Sequence, residues 1–179
     1  SIGKPDMVIE MPEAYKIPAR GTIEYTYFIL PSNFTEDRWV QAFEVRPGNR
    51  ALMHHAVLYS RMPDSKWLSE YPKGVAFVPT PRPGTKKRAS DGDRSEEGTL
   101  ADEWLVGYAP GVKPYAAPEG SAYLVKAGAD FVLQVHYTAN GKAGEDRSRI
   151  GLFFSKELPK RRSFLMRVAN TEFVITPGD

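Results

Sequence analysis

The sequence predicts an all-β protein, an antiparallel sandwich or barrel. Two observations carry this. Short runs of alternating apolar and polar residues recur along the chain, separated by clusters of Pro, Gly and Asn, the pattern of strands joined by turns. Fifteen Pro and 15 Gly in 179 residues also leave few stretches in which a helix could grow. A hydrophobic content of 41% is enough for a core and argues against a chain that stays disordered.

Taken in order, residues 22–30 form the first expected strand, with Ile23, Tyr25, Tyr27 and Ile29 on one face. Pro31, Ser32 and Asn33 mark a turn. Residues 39–45 follow, placing Trp39, Phe43 and Val45 together, and after Pro47-Gly48-Asn49 a third strand covers residues 51–59. Residues 64–70 and a turn over 100–104 are the fair helical candidates. Residues 82–99 break the pattern: Lys86, Lys87 and Arg88 precede Asp91, Asp93, Glu96 and Glu97, which reads as a mobile surface loop, with a lid over a site as the alternative. Residues 131–137 put Phe131, Leu133, Val135 and Tyr137 on one face and Val132, Gln134 and His136 on the other. The Asn140-Gly141 pair then favours a tight turn. Residues 149–154 read as the next strand, and 164–175 hold one or two more. Asp146, with Arg147 and Arg149, reads as hairpin charge on a solvated edge. Residues 1–179 read as a single sandwich domain, and the ending Pro177-Gly178-Asp179, directly after a strand-like run, reads as a cut between domains of a larger chain.

Composition narrows the function. Twenty-four Lys+Arg against 22 Asp+Glu leave a formal charge of +2, without the basic footprint of a nucleic-acid binder. No apolar run approaches the roughly 18 residues of a membrane-spanning helix. The absence of cysteine excludes disulfides, thiolate metal sites and cysteine nucleophiles, and by itself leaves the compartment open. Three histidines remain for any histidine chemistry.

Two of them, His54 and His55, are adjacent, which composition alone produces about once in 30 such chains. They sit in Met53-His54-His55-Ala56-Val57, and His136 sits in Gln134-Val135-His136-Tyr137; both contexts are strands, rigid platforms for metal ligands. Adjacent residues of a regular strand point to opposite faces, so the pair can share one ion only where the strand bulges, twists or ends. Spacing therefore leaves two readings open: a three-histidine metal site, or histidines held in the core by backbone hydrogen bonds. Three neutral imidazoles without thiolate or carboxylate suit copper or zinc. Zinc would imply hydrolysis or hydration with a general base that the sequence does not identify.

At these residues the chain resembles a known family. The His-His strand (MHHAVLY), the strand in FVLQVHYTANGK, the connecting WLVGYAPG with a following Pro-Glu-Gly, and the downstream DRSRIGLFFSKELP are similar to the N-terminal domain of the copper type II, ascorbate-dependent monooxygenases, the family of peptidylglycine alpha-hydroxylating monooxygenase and dopamine beta-monooxygenase. The resemblance spans residues 23–175. It implies an antiparallel β-sandwich of jelly-roll type, and it implies that His54, His55 and His136 hold one electron-transfer copper, with ascorbate as the small-molecule reductant and zinc as a possible substitute metal. In that family a second domain, C-terminal in the parent chain, holds the catalytic copper through His-x-His and a methionine. This chain has no His-x-His and no further histidine. The fragment is thus expected to bind copper and accept electrons without hydroxylating a substrate, and no catalytic residue is assigned to it. The lack of cysteine separates it from the disulfide-rich animal members and favours a bacterial one, for which a periplasmic or secreted location is expected.

The remaining residues have plainer expectations. Met53 is expected in the core rather than as an axial ligand. Gln134 is expected to bond either a ligand imidazole or backbone. Tyr59 and Tyr137 are expected as core aromatics, and Tyr108 as turn packing. Against the copper reading stand a metal-free sandwich serving as a binding or spacer module, and a stand-alone zinc or iron enzyme; cupin-type dioxygenases use His-x-His where this chain has an adjacent pair.

Overall fold

The computed structural model describes residues 2–80 and 103–165, and these residues form an all-β sandwich with no helix. One sheet runs in the order β1 (Met7–Glu10), β11 (Arg149–Phe154), β4 (Arg38–Arg46), β8 (Ser121–Val125) and β12 (Arg161–Arg162), with β7 (Tyr115–Ala116) also on β4. The second runs β3 (Thr26–Pro31), β9 (Asp130–Tyr137), β5 (Met53–Arg61), β6 (Glu103–Tyr108). The short strands β2 (Tyr15–Ile17) and β10 (Gly144–Asp146) pair with each other. The ladders are antiparallel except β12 on β8.

The main core lies between the sheets. Phe28, Leu30, Leu58, Leu133 and Val135 of the four-stranded sheet pack with Val40, Phe43, Val45, Ile150 and Leu152 of the other. Each such burial contributes ~1.5–3 kcal/mol. A second cluster covers the outer face of the four-stranded sheet: Tyr27, Ile29, Val57, Tyr59 and Val132 pack under Trp67 and Leu68. This sheet is therefore apolar on both faces over much of its length. The expected division of β9 holds: Phe131, Leu133, Val135 and Tyr137 enter the main core, while Val132 joins the outer cluster.

Several expectations change. The strand expected over residues 22–30 is β3 and begins at Thr26, after β1 and β2, and Ile23 turns into the main core while Tyr27 and Ile29 join the outer cluster. Trp39 does not share a face with Phe43 and Val45. The register of β4 against β11 jumps from Ala42 to Val40, which leaves Gln41 as an extra residue, and Val40 takes the core position instead. Residues 64–70 form successive turns rather than a helix. Leu68 has φ of +55°, a left-handed conformation that no helix carries, and the Arg61 guanidinium donates to the Trp67 and Leu68 carbonyls, both at 3.1 Å. Of residues 100–104, Glu103 and Trp104 open β6; the rest, like residues 82–99 and 166–175, lie outside the described residues. Phe164 and Leu165 are exposed and belong to no strand. Asn140-Gly141 forms no tight hairpin turn: Gly141, at φ +91°, lies in a bend that leads from the four-stranded sheet to β10, whose partner is β2.

Two polar centres tie the framework together. Arg61 and Asp130, at the paired ends of β5 and β9, are both buried and meet at 2.6 Å, and Lys73 adds a 2.8 Å contact from the surface. The second is Asp146, which is buried rather than solvated as expected. It accepts hydrogen bonds from the Asn49 backbone N–H (2.7 Å), the Tyr137 hydroxyl (2.9 Å) and the Ser148 hydroxyl (2.7 Å). Only the flanking arginines stay outside, where Arg147 and Arg149 both reach Glu10.

Candidate metal centre

A bulge resolves the strand-parity objection to His54 and His55. On β5 and β9, Met53 pairs with Tyr137 and His55 pairs with His136, so His54 is an extra residue with no partner across the ladder. The bulge changes the alternation. Met53 and Ala56, three residues apart, both enter the main core, and His54 and His55 between them are freed to point the same way. His55 shares the outer face of the sheet with Val57 and Tyr59, and His136 shares it with Val132 and Gln134.

The three imidazoles converge through Nδ1. His54 Nδ1 stands 3.0 Å from His55 Nδ1 and 3.3 Å from His136 Nδ1, and the ligand atoms of all three lie within 4.8 Å of one another. Two nitrogens bound to one ion at about 2.0–2.1 Å stand roughly 2.8–4.2 Å apart as their angle at the ion opens from 90° to 180°. Both measured spacings fall in that range. Hydrogen bonding alone satisfies the cluster poorly, since each imidazole nitrogen carries either one N–H or one in-plane lone pair and three such atoms compete. One cation would engage all three lone pairs. No other group of three or more His, Asp or Glu among the described residues converges in this way.

The surroundings favour neutral rings. Burial pushes the His55 imidazole below its usual 6.5, and His136 and His54 push it further down. Burial and His54 lower His136 as well, while a hydrogen bond from this ring to the Ile23 backbone and the nearby Glu24 charge oppose the shift. Neutral imidazole is the metal-binding form. His54 is exposed and the other two are half-buried, so the centre opens to solvent on the His54 side. For the metal-free protein the sign is determined. Folded-state values below 6.5 mean that the native chain binds fewer protons than the unfolded one, so this contribution is complete above pH 6.5 and is lost as pH falls. Melting temperatures of chelator-treated protein should fall from pH 7.5 to pH 5.5, and a His55→Asn, His136→Asn double variant should show a flatter profile. An equal slope in the variant would assign the effect elsewhere.

The other sequence candidates separate clearly. Met53 is buried in the main core, away from the imidazoles, and offers no axial thioether. Gln134 bonds the Tyr27 hydroxyl rather than an imidazole or backbone. Tyr59 lies in the outer cluster and Tyr137 in the main core, where burial and Asp146 hold its phenol neutral as a donor. Tyr108 ends β6 opposite Ala56, one residue from the pair, and packs against the main core.

Two contributors escaped the sequence reading. Asp146 braces both ligand strands: it holds Asn49, whose carbonyl accepts from the N–H groups of Leu52 and Met53 at 3.2 Å just before the bulge, and it holds Tyr137 beside His136. The flanking charges concealed its burial. Tyr25 stacks on His136, with ring centres 4.5 Å apart and planes 12° from parallel. In the sequence it reads only as one residue of a strand face. Comparison of the chain with family models and with curated proteins returned no match.

Proposed function

We propose that this chain is a mononuclear copper domain that takes electrons from ascorbate, the electron-transfer half of a two-domain copper monooxygenase. The observation that carries the reading is the convergence of three imidazole Nδ1 atoms at a strand bulge, with no carboxylate in the ligand group. An all-nitrogen set suits copper or zinc, and among divalent ions it favours copper. Copper bound there would supply one-electron chemistry by alternating between Cu(I) and Cu(II). The chain's own residues do the rest. His55 and His136 stay neutral and half-buried on paired strands, and His54 lies at the open edge, within reach of a small reductant.

The same reading places the oxygen-activating copper and the substrate pocket in a second domain, because this chain has no histidine beyond the three. The jelly-roll connection of the sandwich and a periplasmic or secreted location belong to it too. No helix among the described residues is long and apolar enough to cross a membrane.

The test is a copper(II) titration followed by electron paramagnetic resonance. One equivalent should bind with nitrogen-dominated tetragonal coordination, and ascorbate should bleach the signal under anaerobic conditions. Copper that binds but is not reduced would remove the electron-transfer role. A protein that binds neither copper nor zinc would be a metal-free binding or spacer module.

A further inference from the structure

The outer face of the four-stranded sheet carries a row of rings across three neighbouring strands. Tyr25 extends the line of β3, His136 lies on β9, and His55 lies on β5. Thr26 pairs with Val135, so Tyr25 falls beside His136 as the two chains continue. Its ring lies flat on His136, and it leans on His55 with centres 5.4 Å apart and planes at 54°. Tyr25 is itself seated, half-buried, against the outer apolar cluster.

This contact addresses a weakness of histidine as a ligand. The χ2 torsion of histidine is broad and roughly two-fold, so a free imidazole rocks easily, and a half-turn puts Cδ2 where Nδ1 stood. A metal centre with three imidazoles depends on groups that hold each ring in plane and in register. His136 has such a restraint in the face of Tyr25, which resists rocking of the ring. Exposed His54 meets His55 and His136 edge-on and has no stacking tyrosine.

We propose that Tyr25 is a positioning residue of the histidine centre, its aromatic face holding His136, and through the tilted contact His55, with Nδ1 aimed at the point the three rings share. The proposal rests on the copper reading for its purpose but not for its geometry. The hydroxyl has no part in it, so phenylalanine should substitute and smaller or non-planar side chains should not.

The experiment has a metal-free arm and a copper arm, on wild type, Tyr25→Phe, Tyr25→Leu and Tyr25→Ala. In metal-free protein, nuclear magnetic resonance of the His136 ring protons should show upfield displacement from the tyrosine face. That displacement should be retained in Tyr25→Phe and lost in both others. With copper, Tyr25→Leu and Tyr25→Ala should bind about 10–100-fold more weakly, and their paramagnetic spectra should broaden into more than one nitrogen-ligated species. Tyr25→Phe should match wild type in both readouts. Tyr25→Leu keeps apolar bulk under the site, so it reports on ring positioning even if the alanine variant is unstable. Wild-type His136 shifts in Tyr25→Leu, or loss of them in Tyr25→Phe, would overturn the proposal. Failure of wild type to take up copper would instead sink the copper reading, and the metal-free arm would still decide what Tyr25 does.

Discussion

Replacing His136 by alanine is expected to abolish most of the thermal stabilisation that copper gives the chain. At a free copper concentration one hundred times Kd, an ion that binds only the native state adds about 2.7 kcal/mol. For a chain of this length that raises Tm by roughly 5–11 °C. Losing a group that merely orients a ligand weakens metal binding 10–100-fold, so losing a ligand should cost about 100-fold or more. At the same copper concentration the stabilisation then falls to about 0.4 kcal/mol, a shift of roughly 1–2 °C. His54→Ala should behave alike, because His54 Nδ1 is the atom within 3.3 Å of both others. Met53→Leu should keep the full shift, since that thioether lies in the core. Scanning calorimetry with and without copper measures all four proteins. A full shift in His136→Ala would remove the three-histidine centre from consideration.

The largest loss of stability independent of metal is expected from Asp130→Ala. Asp130 is 4% exposed and Arg61 7%, so the variant strands a guanidinium with only the Trp67 and Leu68 carbonyls as partners. Removing one member of a buried pair costs about 3–5 kcal/mol, or roughly 6–20 °C in Tm. Lys73 contributes little, because its side chain is 53% exposed and its attraction to Asp130 is screened by water. The double variant Arg61→Met, Asp130→Leu should recover most of the loss, since exchanging both charges for apolar groups leaves nothing buried and unpaired. Urea melts would decide the matter: an Asp130→Ala protein within 1 kcal/mol of wild type contradicts the assignment.

Much of this molecule is legible from residue order. The runs at 131–137 and 149–154 are found as β9 and β11, because a sheet with a filled face imposes a period of two that the apolar residues record. The histidines stand out for a different reason: three in 179 residues, two of them adjacent, limit the chemistry before any geometry is known. Where the reading failed, a local pattern met a distant partner. Residues 64–70 have a fair helical pattern, yet Trp67 and Leu68 pack on Tyr27, Ile29 and Val132 of distant strands, with Leu68 at a left-handed φ of +55°. Trp39 keeps step with Phe43 until the extra residue Gln41 moves the core position to Val40. Asp146 sits among arginines and reads as surface, but three donors from separate turns and strands close over it.

By itself the sequence determined the all-β class and the only residues from which a histidine centre could be made, because periodicity and composition are properties of the chain alone. Tertiary structure decided whether those residues meet. A strand's alternation would part His54 from His55, and only pairing with β9, in a register that leaves His54 unmatched, turns both toward His136. Register is a contact between segments some eighty residues apart in the chain. It depends on which apolar faces bury best together, and no local pattern encodes that.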